Sequence, residues 1–411
     1  MLLLNPFTHD SRVEKEAATL VEAGYRISVV ALAADGLPTR ELRAGVDVIR
    51  VKRPGWPPLL RFFLVRRRMA RVVLRLRPDA IHAHDTETLD IAGRAATELG
   101  VPIIFDSHEL WLERVRRGRS SAYATLTRRY FARVERHWLP RAAARITVSD
   151  PIAEHLRRRY GVADVVVLPN YPLPVEPPDP PWSLRRLPGA TGVPADALIV
   201  LFIGNATEGR GIEDLMAAMA MLPDAHLVLL GAANQDGYVR PLARRHHLAE
   251  RVHVTPRVPT EHVVAYAASA TVGMAAIPPV SLSYRYSLPN KLFQCMQAGL
   301  PVVASDFPQV RRVVEESGAG LTVNPLDAHA IAGAIRTYLD DPARRQADGA
   351  RGRLAVRERF NWTAVESRLL EVYRRLVPVD AAQRPGPAAY ASARSPGRPR
   401  LPHGRAAGPR R

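Results

Sequence analysis

Three basic or titratable positions stand where a strand gives way to a loop, and each could act on negative charge. Arg210 closes the loop G-N-A-T-E-G-R-G (204–211), which follows the apolar run ALIVLFIG and precedes IEDLMAAMAML. Glycines such as Gly204, Gly209 and Gly211 let a backbone approach an anion, and a helix N-terminus offers unpaired N–H groups. The loop differs from a nucleotide P-loop: Arg210 replaces its lysine, and Gly211 replaces the hydroxyl residue that would hold magnesium. It therefore reads as a metal-free anion site, although the same residues also suit a simple turn with a solvated arginine. Lys291 sits in the first turn of a helix expected over 290–298, within SLPNKLFQCMQAGLPVVASD (287–306). A cation there is disfavoured by the helix dipole, so an anion would offset it; the alternative is a surface lysine. Gln294 lies on the same helix face as Lys291, while Leu292, Cys295 and Met296 form a core-facing stripe.

The third position is His108, in FDSHELWLE, just beyond a strand expected at 102–105 and flanked by Asp106 and Glu109. A histidine there can serve a reaction or a structural hydrogen bond. The preceding strand ends in IHAHDTE, which puts His82 and His84 on one face. That spacing lacks the further ligand of a hydrolase metal motif, and no cysteine cluster supplements it, so no metal site is expected.

These residues need a scaffold that brings strand ends together. Short apolar runs at 2–5, 26–31, 46–51, 79–83, 102–105, 145–148 and 164–168 alternate with helix-length segments such as SRVEKEAATLVEAG (11–24). After the proline-rich stretch 168–188 the alternation resumes, with strands at 198–203, 226–230, 251–254, 271–276, 301–304 and 319–323. Continuous apolar strands separated by helices imply parallel sheets covered on both faces. The chain reads as two doubly wound α/β domains, 1–170 and 171–360, joined by a proline hinge. Helices follow at 328–340, 342–358 and 362–376, and 380–411 reads as a disordered basic tail. Ligands of such sheets bind beyond the carboxyl ends of the strands, which is where all three positions lie.

The 411 residues carry a formal charge of +18. Seven arginines fall in the last 31 residues, which leaves +11 on the rest and points to an anionic partner. Only three of the 58 basic residues are lysine, so Lys291 stands out. The single cysteine, Cys295, excludes an internal disulfide and fits a reducing compartment. The start has no signal-peptide pattern and no run approaches the ~20 apolar residues of a membrane span, so a cytoplasmic location is expected.

The order of these pieces resembles the retaining glycosyltransferases of family 4, which have the GT-B fold: two Rossmann-like domains facing across a cleft. Residues 287–325 are similar to that family's donor-binding segment, FIGNATEGRG to its phosphate loop, and DSHEL to its histidine loop. The resemblance implies transfer of a sugar from a nucleotide-diphosphate sugar to a hydroxyl of a glycan or lipid-linked acceptor, with retention and without metal or other cofactor. Arg210 and Lys291 would hold the diphosphate, and His108 would sit at the sugar. Gly204, Asn205, Gly209, Gly211, Arg257, Val258, Leu288, Pro289, Asn290 and Gln294 would line the donor site. Asp10, Arg12, His84 and Glu109 are the acceptor-side candidates. The terminal helix, 361–378, would cross back onto the first domain. Where the family often has two glutamates, this sequence has Tyr286 and Gln294; Gln294 keeps one acceptor for a ribose hydroxyl. Those replacements leave a catalytically weak nucleotide-sugar-binding module, or an epimerase of the same fold, as alternatives. Segment 57–79 alternates arginines with Leu, Phe and Val. Such a segment can lie on an anionic membrane, which would make the protein peripheral on the inner face of the plasma membrane, or cover a sheet with a solvated basic face. The basic tail lacks the aromatic platform of a nucleic-acid binder, so no nucleic-acid partner is expected.

Overall fold

The computed structural model describes residues 1–8, 10–113 and 122–378. The tail expected to be disordered, 380–411, lies outside them. The first half contains strands β1 (Ser28–Leu32), β2 (Arg40–Arg43), β3 (Val46–Val51), β4 (Ile81–His84), β5 (Ile103–Ser107), β6 (Ala144–Thr147) and β7 (Val166–Val167). They form two ladders, β1-β3-β2 and β4-β5-β6-β7. The segment expected as a strand at 2–5 lies between these ladders. It is tied to both by Leu2 N–H donating to His82 C=O (2.9 Å) and Leu3 N–H donating to Val30 C=O (3.0 Å), with Leu2 bridging Val30 and Ala83. Pairing is parallel except for β2, which runs antiparallel to β3 as an exposed hairpin edge. Sequence patterning does not show β2, because RELR has one apolar residue and no buried face to mark it.

The second half is a six-stranded parallel sheet ordered β10-β9-β8-β11-β12-β13, with β8 (Leu198–Ile203), β9 (Ala225–Leu230), β10 (Val252–Val254), β11 (Val272–Ala275), β12 (Val302–Ser305) and β13 (Gly320–Val323). The strand order reverses between β8 and β11, so the loops that follow these two adjacent strands open beside one another, as at other ligand-binding switch points. Those loops carry Arg210 and Lys291. The core is wholly apolar along β8 and β11, with Val200, Leu201, Phe202 and Met274 buried. That pattern is expected of strands covered on both faces.

The halves are also joined at the chain's end. Trp362 donates its indole N–H to Thr19 Oγ1 (2.8 Å), and Thr19 donates to Glu366 Oε2 (2.9 Å). The helix Glu366–Leu376 thus lies on the N-terminal helix Ser11–Glu22, and its Tyr373 reaches beneath β4. Among the described residues, no helix is long and apolar enough to cross a membrane.

Candidate functional site: a basic pair and a buried histidine cluster

On the donor side, Gly204, Gly209 and Gly211 all adopt positive φ (102°, 71° and 79°). Gly211 is doubly constrained, because a Cβ there would lie 3.0 Å from both Ala276 C=O and Pro278 Cδ. It caps the helix Ile212–Ala220, whose first turn is thereby presented beside the loop that follows β11. That second loop is fixed at its base by Ser305, whose hydroxyl accepts from Ile277 N–H (2.6 Å) and donates to Ile277 C=O (2.9 Å). It then forms a short helix, Leu282–Tyr286, and turns through Pro289 into the helix Asn290–Gln297.

Lys291 is buried on this helix, as are Phe293 and Gln297, so more of its circumference is covered than the expected stripe of Leu292, Cys295 and Met296. Its Nζ lies 3.3 Å from the centre of the Phe202 ring, and Arg210 lies over Tyr284 at 5.0 Å. Burial, and then the positive charge of Arg210, hold the Lys291 pKa well below the usual lysine range, with Cys295 acting weakly the other way. Arg210 Nε is buried without a hydrogen-bond partner among the described residues. Two basic side chains thus converge, and among the described residues neither forms an ion pair with a carboxylate. Arg257 is engaged with Asn205, donating to Oδ1 at 2.7 Å, and Val258 packs partly buried against the core. Gln294 is half-buried on the helix that carries Lys291.

Across the cleft, β5 ends in Asp106 and Ser107, and His108 follows. Asp106 is completely buried and receives both Nε (2.9 Å) and Nη2 (3.0 Å) of Arg12. His108 Nε2 lies 3.3 Å from Asp106 and 3.2 Å from His84 Nδ1, and its Nδ1 lies 3.5 Å from Asp85. Asp85 also accepts from the His108 backbone N–H at 3.0 Å, which fixes the turn. Despite the cost of burial, Asp85 and Asp106 push His108 up to about 10. At neutral pH this side chain is an imidazolium and has no lone pair for use as a base. His84 is buried behind His108, with burial pulling it down to about 4, and it stacks on His82 at 4.1 Å. His82 in turn meets Tyr373 Oη at 2.9 Å.

The fold adds Glu16 and Asp106 to the two histidines of β4, and the four ligand-type atoms lie within 4.8 Å of one another. Arg12 already occupies both oxygens of Asp106 and lies 3.0 Å from Glu16 Oε1, so a divalent ion would face that guanidinium directly. Burial pushes Glu16 up to about 8, so it is a neutral acid at pH 7 and a poor ligand in that form. The residues present thus suit protons and hydrogen bonds better than a metal.

Between the two sides lies a cavity of about 380 Å³ lined by Asp10, Arg12, His108, Leu288 and Asn290, among others. Pro289 caps the helix behind it. The two halves meet at its rim: Asn170 donates to Asn290 Oδ1 (3.2 Å), Ser149 donates to Tyr286 C=O (2.8 Å), and Arg312 pairs with Asp150 (3.1 Å). Two of the acceptor-side candidates stand elsewhere. His84 is sealed beneath His108 rather than facing the cavity. Glu109 lines a separate small cavity with Trp111 and Tyr160, because Ser107 Oγ binds the Glu109 carbonyl and turns the chain away. Sequence reading missed Asp85, Glu16 and Tyr373. Of these only Asp85 adjoined a motif already singled out; the others reach the cluster through tertiary packing.

Residues 11–171 match the family described as Glycosyltransferase Family 4, and residues 197–341 match Glycosyl transferases group 1. The chain belongs to the family 4 glycosyltransferases. Among relatives, it is 32% identical over 241 residues to the D-inositol 3-phosphate glycosyltransferase of Kineococcus radiotolerans, covering 54% of this chain and 53% of that one. It therefore spans about half the length of that relative. It is 27% identical over 374 residues to the phosphatidyl-myo-inositol mannosyltransferase of Mycolicibacterium smegmatis, covering 88% and 89% of the two chains. Among solved structures, sucrose-phosphate synthase of Thermosynechococcus elongatus superposes with a TM-score of 0.73 at 24% identity (91% and 98% of the chains). HepE of Anabaena in complex with UDP-glucose does so with 0.71 at 16% (91% and 99%). These structural likenesses show the GT-B fold, which this family 4 member shares.

Proposed function

We propose that this family 4 protein is a metal-independent glycosyltransferase that moves a sugar from a nucleotide-diphosphate sugar to an acceptor hydroxyl with retention. The observation that carries the reading is the pair Arg210 and Lys291, two adjacent basic side chains at the switch point of the second sheet that form no ion pair with a carboxylate among the described residues. Cleaving a sugar–phosphate bond leaves charge on the departing diphosphate, and fixed cations in a dry cleft stabilise it where it forms. The binding of UDP-glucose by HepE, a protein of the same fold, supports a donor of this class.

The anomeric C–O bond to phosphate breaks and a C–O bond to the acceptor oxygen forms on the same face. The hydroxyl proton passes to the departing phosphate oxygen. His108 does not take it, since Asp85 and Asp106 keep the imidazole charged; it serves as a fixed cation and hydrogen-bond donor beside the reacting sugar. The contacts at Asn290, Tyr286 and Arg312 hold the halves together, which excludes the water that would hydrolyse the donor.

The helix Pro58–Leu76 supports a membrane-presented acceptor. Trp56, Leu60 and Phe63 are 54%, 43% and 53% exposed, beside the exposed Arg61, Arg67 and Arg71. Apolar side chains among arginines suit an anionic lipid surface. Turnover of UDP-, GDP- and ADP-sugars in the presence of EDTA, read by released nucleotide, tests the chemistry. Activity with one donor that survives EDTA is expected; no turnover of any donor would sink the reading. Co-sedimentation with anionic vesicles but not neutral ones tests the surface, and equal binding to both would remove it.

A further inference from the structure

The acceptor side of the cleft has a chemical character that narrows what can enter it. This inference rests on the glycosyltransferase reading and concerns the acceptor alone. The two basic side chains that the N-terminal helix sends toward this region are both engaged by the protein. Arg12 is 3% exposed; its Nε and Nη2 donate to Asp106, and its Nη1 donates to Leu168 C=O at 2.8 Å. Lys15 is 9% exposed, donates to Asn170 Oδ1 (2.9 Å) and to Tyr171 C=O, and lies 5.3 Å from the centre of the Trp362 ring. The His108 imidazolium is already flanked by Asp85 and Asp106.

Among the described residues, the remaining lining is of a different kind. Thr8 and Ser11 line the cavity with hydroxyls and Asn5 and Asn170 with amides that also bond Asp10, Lys15 and Asn290, while Ser287 and Asn290 close it from the donor-side segment. Asp10 adds a carboxylate, held in place by Asn5 Nδ2 (2.8 Å) and by the Val13 N–H that it caps (3.3 Å). Neutral donors and acceptors with one fixed carboxylate match the vicinal hydroxyls of a sugar or cyclitol. They do not match a phosphate, whose recognition uses free arginine forks, lysines or open helix N-termini. At the N-terminus of the neighbouring helix, Asp10 takes the Val13 N–H and places a carboxylate beside the remaining N–H groups, which disfavours an anion there. We propose that the acceptor moiety seated in this cavity is an uncharged polyol, and that Asp10 discriminates against phosphorylated acceptors. The cavity's volume of about 380 Å³ is enough for one such ring.

The experiment uses the full chain and the donor it hydrolyses. Matched acceptor pairs are compared by mass spectrometry of the product: myo-inositol against D-myo-inositol 3-phosphate, and methyl glucoside against glucose 6-phosphate. The uncharged member of a pair should have a kcat/KM higher by about tenfold or more, the scale set by a like-charge clash. Asp10→Asn keeps an N-cap side chain and should narrow that ratio at least about threefold. A preference for the phosphorylated member, equal use of both, or donor hydrolysis without transfer to any uncharged member would overturn the inference. An unchanged ratio in Asp10→Asn would overturn the role of Asp10. These failures leave donor hydrolysis intact and are thereby distinct from failure of the glycosyltransferase reading, in which no donor is turned over at all.

Discussion

Replacing Lys291 by methionine removes a charge and little else, because the methionine stem can still pack on Phe202. In the transition state the ammonium would face a departing diphosphate oxygen. At contact distance of about 4 Å and an effective dielectric of about 20, the attraction is on the order of 4 kcal/mol. Removing one charge-stabilising donor from an enzyme costs about 2.7–4 kcal/mol, so the two scales agree and predict a loss of about 10²–10³ in kcat. The unliganded protein should respond in the opposite sense. Burial and Arg210 depress the Lys291 pKa, so the folded state disfavours its proton and stability rises with pH between that lowered value and 10.5. Lys291→Met should therefore leave the melting temperature unchanged or raise it near neutral pH, and should abolish most of the thermal shift produced by UDP. Bound nucleoside diphosphate should raise the Lys291 pKa back toward its usual range, seen as a pH dependence of UDP affinity in calorimetry that Lys291→Met loses. A kcat within about threefold of wild type would refute the electrostatic role. A variant that melts several degrees lower would show instead that Lys291 is a structural residue.

The other predictions concern the scaffold. His108 should show no titration between pH 6 and 8 in its ring-proton NMR signals. The stability that its raised pKa contributes is fully present below about 6.5 and lost as pH rises through about 10, and a midpoint near 6.5 would contradict the pairing with Asp85 and Asp106. Arg12→Met leaves Asp106 buried without its main partner and should cost about 3–5 kcal/mol in urea denaturation; a loss below about 1 kcal/mol would argue against a buried ion pair. Gly211→Ala forces a Cβ against Ala276 and Pro278 at positive φ, and should lower stability by about 1–3 kcal/mol while weakening UDP binding in calorimetry.

The fold was legible because most of its strands are wholly buried and apolar: β8 and β11 declare themselves in ALIVLFIG and TVGMAAI. The edge strand β2 was silent for the opposite reason, since RELR faces solvent in a polar hairpin. The short helix Leu282–Tyr286 was silent too, because five residues carry no helical period. Lys291 announced itself by an unfavourable position in its helix, and Arg210 by its glycines. Glu16 and Tyr373 gave no such sign. Each lies on a helix with ordinary amphipathic spacing, and only the packing of Glu366–Leu376 and Ser11–Glu22 onto β4 brings them to the histidines. Tyr286, read as a replaced donor-site glutamate, instead offers its carbonyl to Ser149 of the other half.

The hydroxyl of Tyr373, resting on His82 at the far end of the histidine stack, has a practical consequence for engineering. Anyone building chimeras to change acceptor preference would be tempted to cut once, in the proline-rich segment, and graft a foreign N-terminal half. Such a hybrid would bring new residues to the floor of the cluster while keeping the old Trp362 and Tyr373 against them. A graft that exchanges residues 1–170 and 361–378 as one unit preserves that seam; a single-crossover graft does not.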